Sequence, residues 1–159
     1  MTIITRMWLA TSLSVAGMLL PAPARADLLE GLGRWSGGGS VFDPNGQRLG
    51  DFRVELTRTA AGPDRVETRG TVATADGRVI PFRSVIARAA QGFVVESERG
   101  KGHAVCIEES VCHSYEVDAA GNGSTSTILI DDERRVRVLV TELEKGKPVR
   151  LMWQTLSQP

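Results

Sequence analysis

The chain has 159 residues and carries 19 Lys and Arg against 19 Asp and Glu, so its formal net charge is zero at pH 7. No basic patch stands out from this balance. Because phosphate binding requires clustered positive charge, the composition argues against a nucleic-acid-binding protein.

Residues 1–26 have the features of a secretory signal peptide: a short basic start, an apolar run at 7–20 and a small-residue cleavage site at Ala24-Arg25-Ala26. The apolar run ends at Pro21, short of the about 20 residues that cross a bilayer, so no transmembrane segment is expected after cleavage. We therefore predict a bacterial periplasmic or secreted protein. Its mature chain would be one domain, residues 27–159, with a net charge of −2.

From Trp35 onward, apolar and polar residues alternate in short segments, which is typical of an antiparallel all-β meander. Turn-forming clusters delimit eight to ten strands, the first opening within 31–39 and ending at 42, and the others near 52–57, 66–72, 79–88, 92–98, 103–106, 112–117, 125–131, 134–141 and 149–156. The segment at 79–88 is apolar at both parities, so both of its faces should be partly covered. Pro81 predicts a bulge or an edge position there. At most one helical turn is expected, at 28–32.

Up-and-down strands with short loops avoid exposed edges most simply by closing into a barrel. About eight strands leave an interior for packed side chains or for one small ligand. The sequence thus predicts a single antiparallel up-and-down β-barrel of about eight to ten strands.

Gly33-Arg34-Trp35, at the start of the first strand, resembles the Gly-x-Trp signature of the lipocalin and calycin barrels, as do the mature length and the strand spacing. The chain also resembles small bacterial calycin-like barrels, some of which bind haem. The resemblance implies that the indole closes one barrel end and that an arginine near the last strand, Arg150 or Arg137, packs over it. The family's second motif, a Thr-Asp-Tyr-like loop, is absent from the sequence.

The predicted barrel has an apolar lining with few polar groups. Its inward candidates are Trp35, Phe52, Val54, Phe82, Phe93, Leu151 and Trp153. Such a lining suits a small hydrophobic ligand, and it equally suits a packed core. The first hypothesis is therefore a lipocalin-like binder of a small apolar molecule.

Cys106 and Cys112 are expected to form a structural disulfide, because the predicted compartment is oxidising. The bridge would clamp a tip that carries Glu108 and Glu109. A rigid tip loses little entropy on binding, so the second hypothesis is a module that docks to an envelope protein or inhibits an enzyme through this loop.

His103 and His113 flank the disulfide, and neutral imidazole can ligate haem iron, so haem binding is a third hypothesis. No carboxylate or cysteine stands at ligand spacing, and no metal site is predicted. Five residues separate the cysteines, whereas a c-type haem attachment motif has two. Asp131-Asp132-Glu133 lacks the alternation of a calcium loop and predicts a charged turn. No catalytic motif is recognisable, so neither an enzyme nor a resident cofactor is predicted.

Overall fold

The computed structural model describes residues 27–98, 100–108, 110–132 and 134–159, with only the backbone at Glu108. The predicted signal peptide at 1–26 lies outside the described residues, as do Glu109 and Glu133. The described part of the chain has no helix with the length and hydrophobicity that crossing a membrane requires.

The described residues form ten strands and no helix: β1 (Gly33–Phe42), β2 (Arg48–Gly62), β3 (Arg65–Thr74), β4 (Val79–Arg88), β5 (Phe93–Ser97), β6 (Gly100–Glu108), β7 (Val111–Val117), β8 (Gly123–Asp132), β9 (Arg135–Glu144) and β10 (Lys147–Ser157). Each strand pairs antiparallel with the next, and β10 pairs with β1, which closes the sheet into a barrel. The prediction of an all-β up-and-down barrel is confirmed.

Close contact between β1 and β10 explains two of the glycines of β1, Gly37 and Gly39. A methyl group on Gly37 would lie 1.9 Å from the carbonyl oxygen of Thr155, and one on Gly39 would lie 2.0 Å from the carbonyl oxygen of Trp153. Real side chains are never so close to backbone, so these positions admit only glycine without displacing β10.

The segment before β1 closes one end of the barrel. Leu28 is 5% exposed and packs with Phe93, Ala104 and Cys112, which belong to β5, β6 and β7. A hydrogen bond of 3.0 Å from the Glu30 amide to the Asp27 carbonyl forms a turn in this segment, where the sequence predicts at most one helical turn. The loops that follow β1, β3, β5, β7 and β9 lie at the opposite end, which we call the mouth.

Ion pairs cover the outer face of β3, β4 and β5. Glu67 pairs with Arg83 and, at 3.1 Å, with Arg69, and Glu96 pairs at 2.8 Å with Lys101. Val85 lies between Glu67 and Glu96 in the sheet register, and it is only 7% exposed although it faces outward. The aliphatic stems of these long side chains cover it. The expectation that β4 is partly covered on both faces holds around Val85 and Ile86, but not at Val79 and Ile80, which are 62% and 48% exposed.

Pro81 lies on the part of β4 that extends beyond the end of β5. It pairs with Thr71 of β3, whereas the pairing of β4 with β5 begins only at Ser84. A proline lacks an amide donor, and here no neighbouring strand requires one. The predicted edge position is therefore a local one within a closed barrel.

Candidate ligand-binding site in the barrel interior

Five of the seven predicted lining residues face the interior, and they belong to two separate clusters. Trp35, Phe52 and Val54 form a buried cluster with Leu156, against which Phe82 packs. Phe93 belongs to the other cluster, with Leu28, Ala104 and Cys112. The two clusters contain most of the buried hydrophobic side chains of the described residues.

The prediction that Leu151 and Trp153 face inward is wrong. Trp153 is 37% exposed, and its partner across the sheet is Leu139, which is 39% exposed. The inward residues of β10 are those of the other parity, Met152 and Leu156, which pack in the cluster around Trp35. The sequence predicts the alternation along β10, but both faces of this strand carry apolar residues, so the alternation does not show which face is inside.

Small hydroxyl side chains line the interior between the two clusters. Inward-facing residues are partners across neighbouring strands: Ala104 pairs with Ser114, Ser114 with Ser126, and Ser126 with Val140. Both serines and Val140 are half-buried, although they face the inside of a closed barrel. Serine side chains are too small to fill this space, so the interior is only partly packed at this level.

Polar and charged side chains surround the interior at the mouth. Glu116, Ser124 and Glu142 are register neighbours on β7, β8 and β9. Ser97 donates a hydrogen bond to Glu116, and the Arg150 guanidinium lies 3.4 Å from the Glu142 carboxylate. The Glu142 side chain is only 16% exposed. The mouth therefore offers both signs of charge to a polar group that enters it.

The opposite end is sealed by hydrogen bonds from Trp35 and Arg58. The indole Nε1 donates to the Gly31 carbonyl at 2.7 Å, and the Arg58 guanidinium donates to the carbonyls of Glu30, at 2.7 Å, and Leu28. Burial lowers the pKa of Arg58, and the nearby charge of Asp27 offsets part of that effect.

Neither arginine suggested by the family resemblance packs over Trp35. Arg137 donates to both oxygens of Asp131, at 2.9 and 3.0 Å, and Arg150 pairs with Glu142. Arg58 lies near the indole, because a methyl group on Gly31 would be 2.8 Å from Trp35 and 3.4 Å from Arg58. The arginine that lies near Trp35 thus belongs to β2 and not to the strands near the end of the chain.

The expected disulfide between Cys106 and Cys112 is present. The two cysteines are partners across β6 and β7, and both belong to the inward parity; Cys112 has no exposed surface. The bridge is thus part of the interior packing beneath Leu28 as well as a clamp on the tip.

The histidines lie away from the interior. His103 and His113 are exposed on the outer face of β6 and β7, and Nδ1 of His113 is 3.0 Å from the Thr127 hydroxyl. Within the described ranges, no group of three His, Cys, Asp or Glu residues is placed to hold a metal ion. A haem held by either histidine would lie outside the barrel.

The described residues form at least two clefts at the surface. One, of about 640 Å³, lies at the sealed end between Asp27, the loop at 89–92 and Cys106. The other, of about 450 Å³, lies over β1, β2 and β3 and is bordered by Glu55 and Arg69. Both are open to solvent, and neither is lined by the interior serines or by the carboxylates at the mouth.

Glu116, Glu142 and the interior serines were not predicted as site residues. A signal existed, because Glu116 has the parity of Cys112 and Glu142 has that of Val136 and Val138. Hydrophobicity identifies an inward face by its apolar residues, so it does not reveal polar side chains on the same face.

No family model and no curated protein matches the sequence. Solved structures share the fold. An S-type phycobiliprotein lyase from Guillardia theta aligns with a TM-score of 0.62 and 10% identity, over 80% of this chain and 88% of that one. A protein of unknown function from the DUF3598 family of Nostoc punctiforme aligns with a TM-score of 0.60 and 12% identity, over 80% of this chain and 47% of that one, so this chain spans about half its length. The chain therefore has the closed antiparallel barrel of the calycin and lipocalin-like folds.

Proposed function

We propose that this protein binds a small, mainly apolar molecule inside the barrel, with a polar group of the ligand held at the mouth. The observation that carries the proposal is the contrast along the interior. Leu28 and Trp35 seal one end, whereas Ser114, Ser126 and Val140 remain half-buried toward the other. A barrel that served only as a solid scaffold would have larger apolar side chains at these inward positions.

The lining fixes the orientation of the proposed ligand. Its apolar part would lie against the serines and valines, where removing about 300 Å² of apolar surface from water contributes about 7 kcal/mol before the costs of association. Its polar part would remain near Glu116 and Glu142, because moving a charged group past them into the barrel would require an unpaired charge to lose its water. The function that we propose is therefore that of a periplasmic or secreted carrier without a catalytic role.

Native mass spectrometry with solvent extraction tests the proposal on protein purified without detergent. A stoichiometric adduct that is released on denaturation supports it and gives the mass of the ligand. Titration of the purified protein with the neutral fluorescent probe N-phenyl-1-naphthylamine gives a second measure of interior binding. If wild-type protein shows neither an adduct nor saturable probe binding, the proposal is wrong.

A matched pair of variants locates the binding site. Ser126→Trp places an indole at an inward position, whereas Ser36→Trp makes the same change at an exposed, outward position of β1. We expect the first variant to lose probe binding by at least about tenfold while it keeps the circular dichroism of the wild type, since a ligand of this size cannot share the space. The second should bind as the wild type does. Equal binding by both variants would place the ligand outside the barrel.

A further inference from the structure

One half of the barrel, from β4 to β8, directs hydroxyl groups toward the interior. Ser84, Ser114 and Ser126 belong to β4, β7 and β8, and they have the parity of the residues that pack around Leu28. All three serines are half-buried. We call these three residues the hydroxyl wall.

The hydroxyl groups of this wall have no hydrogen-bond partner among the residues that the structure describes. Ser97 of β5 differs from them, because it donates to Glu116. Every fully buried side-chain oxygen or nitrogen in the described chain does have a partner, so the three hydroxyl oxygens border space that water can enter. A hydrocarbon that covered them would remove this water and offer no hydrogen bond in return, which costs free energy. The hydroxyl wall therefore favours a ligand with hydrogen-bonding groups.

The other half of the barrel is apolar at the inward positions that face this wall. Side chains of β1, β2, β3 and β10 pack in the cluster around Trp35, and we call four of them the apolar wall: Val41, Phe52, Val72 and Met152. In the closed ring of ten strands, β2 lies five strands from β7 and β3 lies five strands from β8. The two walls therefore face each other across the interior. A polar group turned toward the apolar wall would lose its water without gaining a hydrogen bond.

We propose that the ligand is a ring system with hydrogen-bonding groups on one face and an apolar opposite face. This inference rests on the proposed function and names the chemical class of its ligand. A plain alkyl chain presents the same apolar surface in every direction, so it would leave the hydroxyl wall unpartnered. A ring system of the proposed class offers hydroxyl or carbonyl groups to Ser114 and Ser126, while its other face packs on Phe52 and Met152.

Two epimeric bile acids are matched probes for this placement of polar groups. Chenodeoxycholate carries both of its hydroxyl groups on one face of the steroid, whereas ursodeoxycholate carries one on each face. The two molecules have the same mass, charge and number of hydroxyl groups, so a difference in affinity reports the placement alone. Isothermal titration calorimetry below the concentrations at which they form micelles should show that the wild type binds chenodeoxycholate at least about tenfold more tightly.

A pair of double variants assigns this preference to the hydroxyl wall. Ser114→Ala with Ser126→Ala removes two hydroxyl groups from partner positions of β7 and β8 and adds no volume. Ser36→Ala with Ser157→Ala makes the same change at partner positions of β1 and β10 that are exposed on the outer surface. We expect the first variant to reduce the preference to less than about threefold and the second to keep it. Circular dichroism of both variants checks that they are folded.

Several outcomes overturn the inference. Equal affinity of the wild type for the two epimers, or a preference for ursodeoxycholate, shows that the two walls do not select the faces of the ligand. A preference that survives Ser114→Ala with Ser126→Ala, or one that Ser36→Ala with Ser157→Ala also abolishes, does not come from the hydroxyl wall. If the wild type binds N-phenyl-1-naphthylamine but neither epimer, the ligand class is wrong and the proposed interior site stands. If it binds neither that probe nor either epimer and carries no adduct, the proposed function fails as well.

Discussion

Substitution of Leu28 tests whether the N-terminal segment is part of the folded barrel. Leu28 is 5% exposed and packs on Phe93, Ala104 and Cys112. Leu→Ala changes in a core cost about 2–5 kcal/mol, from the lost transfer free energy and the cavity that remains. Leu28 belongs to the segment before β1, which can detach from the barrel instead of preserving a cavity, and detachment limits the loss. We therefore expect Leu28→Ala to lower the free energy of unfolding by about 2–3 kcal/mol.

Urea denaturation followed by circular dichroism measures this loss, and Leu32→Ala is its control. Leu32 belongs to the same segment but is 49% exposed, so its truncation should cost less than about 0.5 kcal/mol. Hydrogen exchange adds a local readout, because the Glu30 amide donates to the Asp27 carbonyl within the turn that Leu28 anchors. In Leu28→Ala this amide should exchange faster, while amides in the middle of β9 should change only as global stability does.

Equal stability of the two variants would refute the reasoning. It would mean that Leu28 gains nothing from the side chains around it, and that the segment does not seal the barrel in solution. A large loss with unchanged protection of the Glu30 amide would show that the damage lies in the core rather than in the docking of the segment.

Three further predictions concern the wall of the barrel. Gly37→Ala should destabilise the fold by more than about 3 kcal/mol in thermal unfolding, because its methyl group would lie 1.9 Å from the Thr155 carbonyl oxygen. Gly50 has open space around it, so Gly50→Ala should cost less than about 1 kcal/mol. Similar costs for the two variants would contradict the tight contact between β1 and β10. Reduction of the disulfide should lower the free energy of unfolding by about 2 kcal/mol in urea denaturation, as expected for a closed loop of seven residues. An unchanged free energy of unfolding would show that the bridge does not constrain the unfolded chain. Hydrogen bonds from arginines hold the pKa values of Glu67 and Asp131 below the usual range of carboxyl groups. These two carboxylates therefore stabilise the fold fully when the pH is above the usual carboxyl range. Their stabilisation is lost as the pH falls through the lowered pKa values. The melting temperature should therefore be nearly constant from pH 8 to about 5 and should fall below about pH 4, less steeply in Asp131→Asn than in the wild type. An equally steep fall in both proteins would show that the ion pair of Asp131 with Arg137 does not contribute.

The strand pattern was largely predictable from the sequence, because a half-buried strand repeats every two residues and the turns carry Gly, Asn, Asp and Pro. The disulfide was predictable for a different reason, since two cysteines in a chain expected to reach an oxidising compartment allow one pairing. The orientation of β10 was not. Leu151 and Trp153 do share a face, but the opposite parity carries Met152 and Leu156, and local alternation cannot say which of two apolar faces is inside.

Local sequence determined the strands, the turns and the all-β class, because these depend on backbone geometry and on contacts between residues close in the chain. Closure of the barrel decided everything that depends on which face is inside. Closure brings β10 onto β1, places Trp153 on the outer surface and directs Glu116 and Glu142 toward the mouth. It also brings Arg58 to the carbonyls of Leu28 and Glu30, about 30 residues earlier in the chain. Such contacts are set by the shared register of all ten strands in the described chain, which no single segment contains.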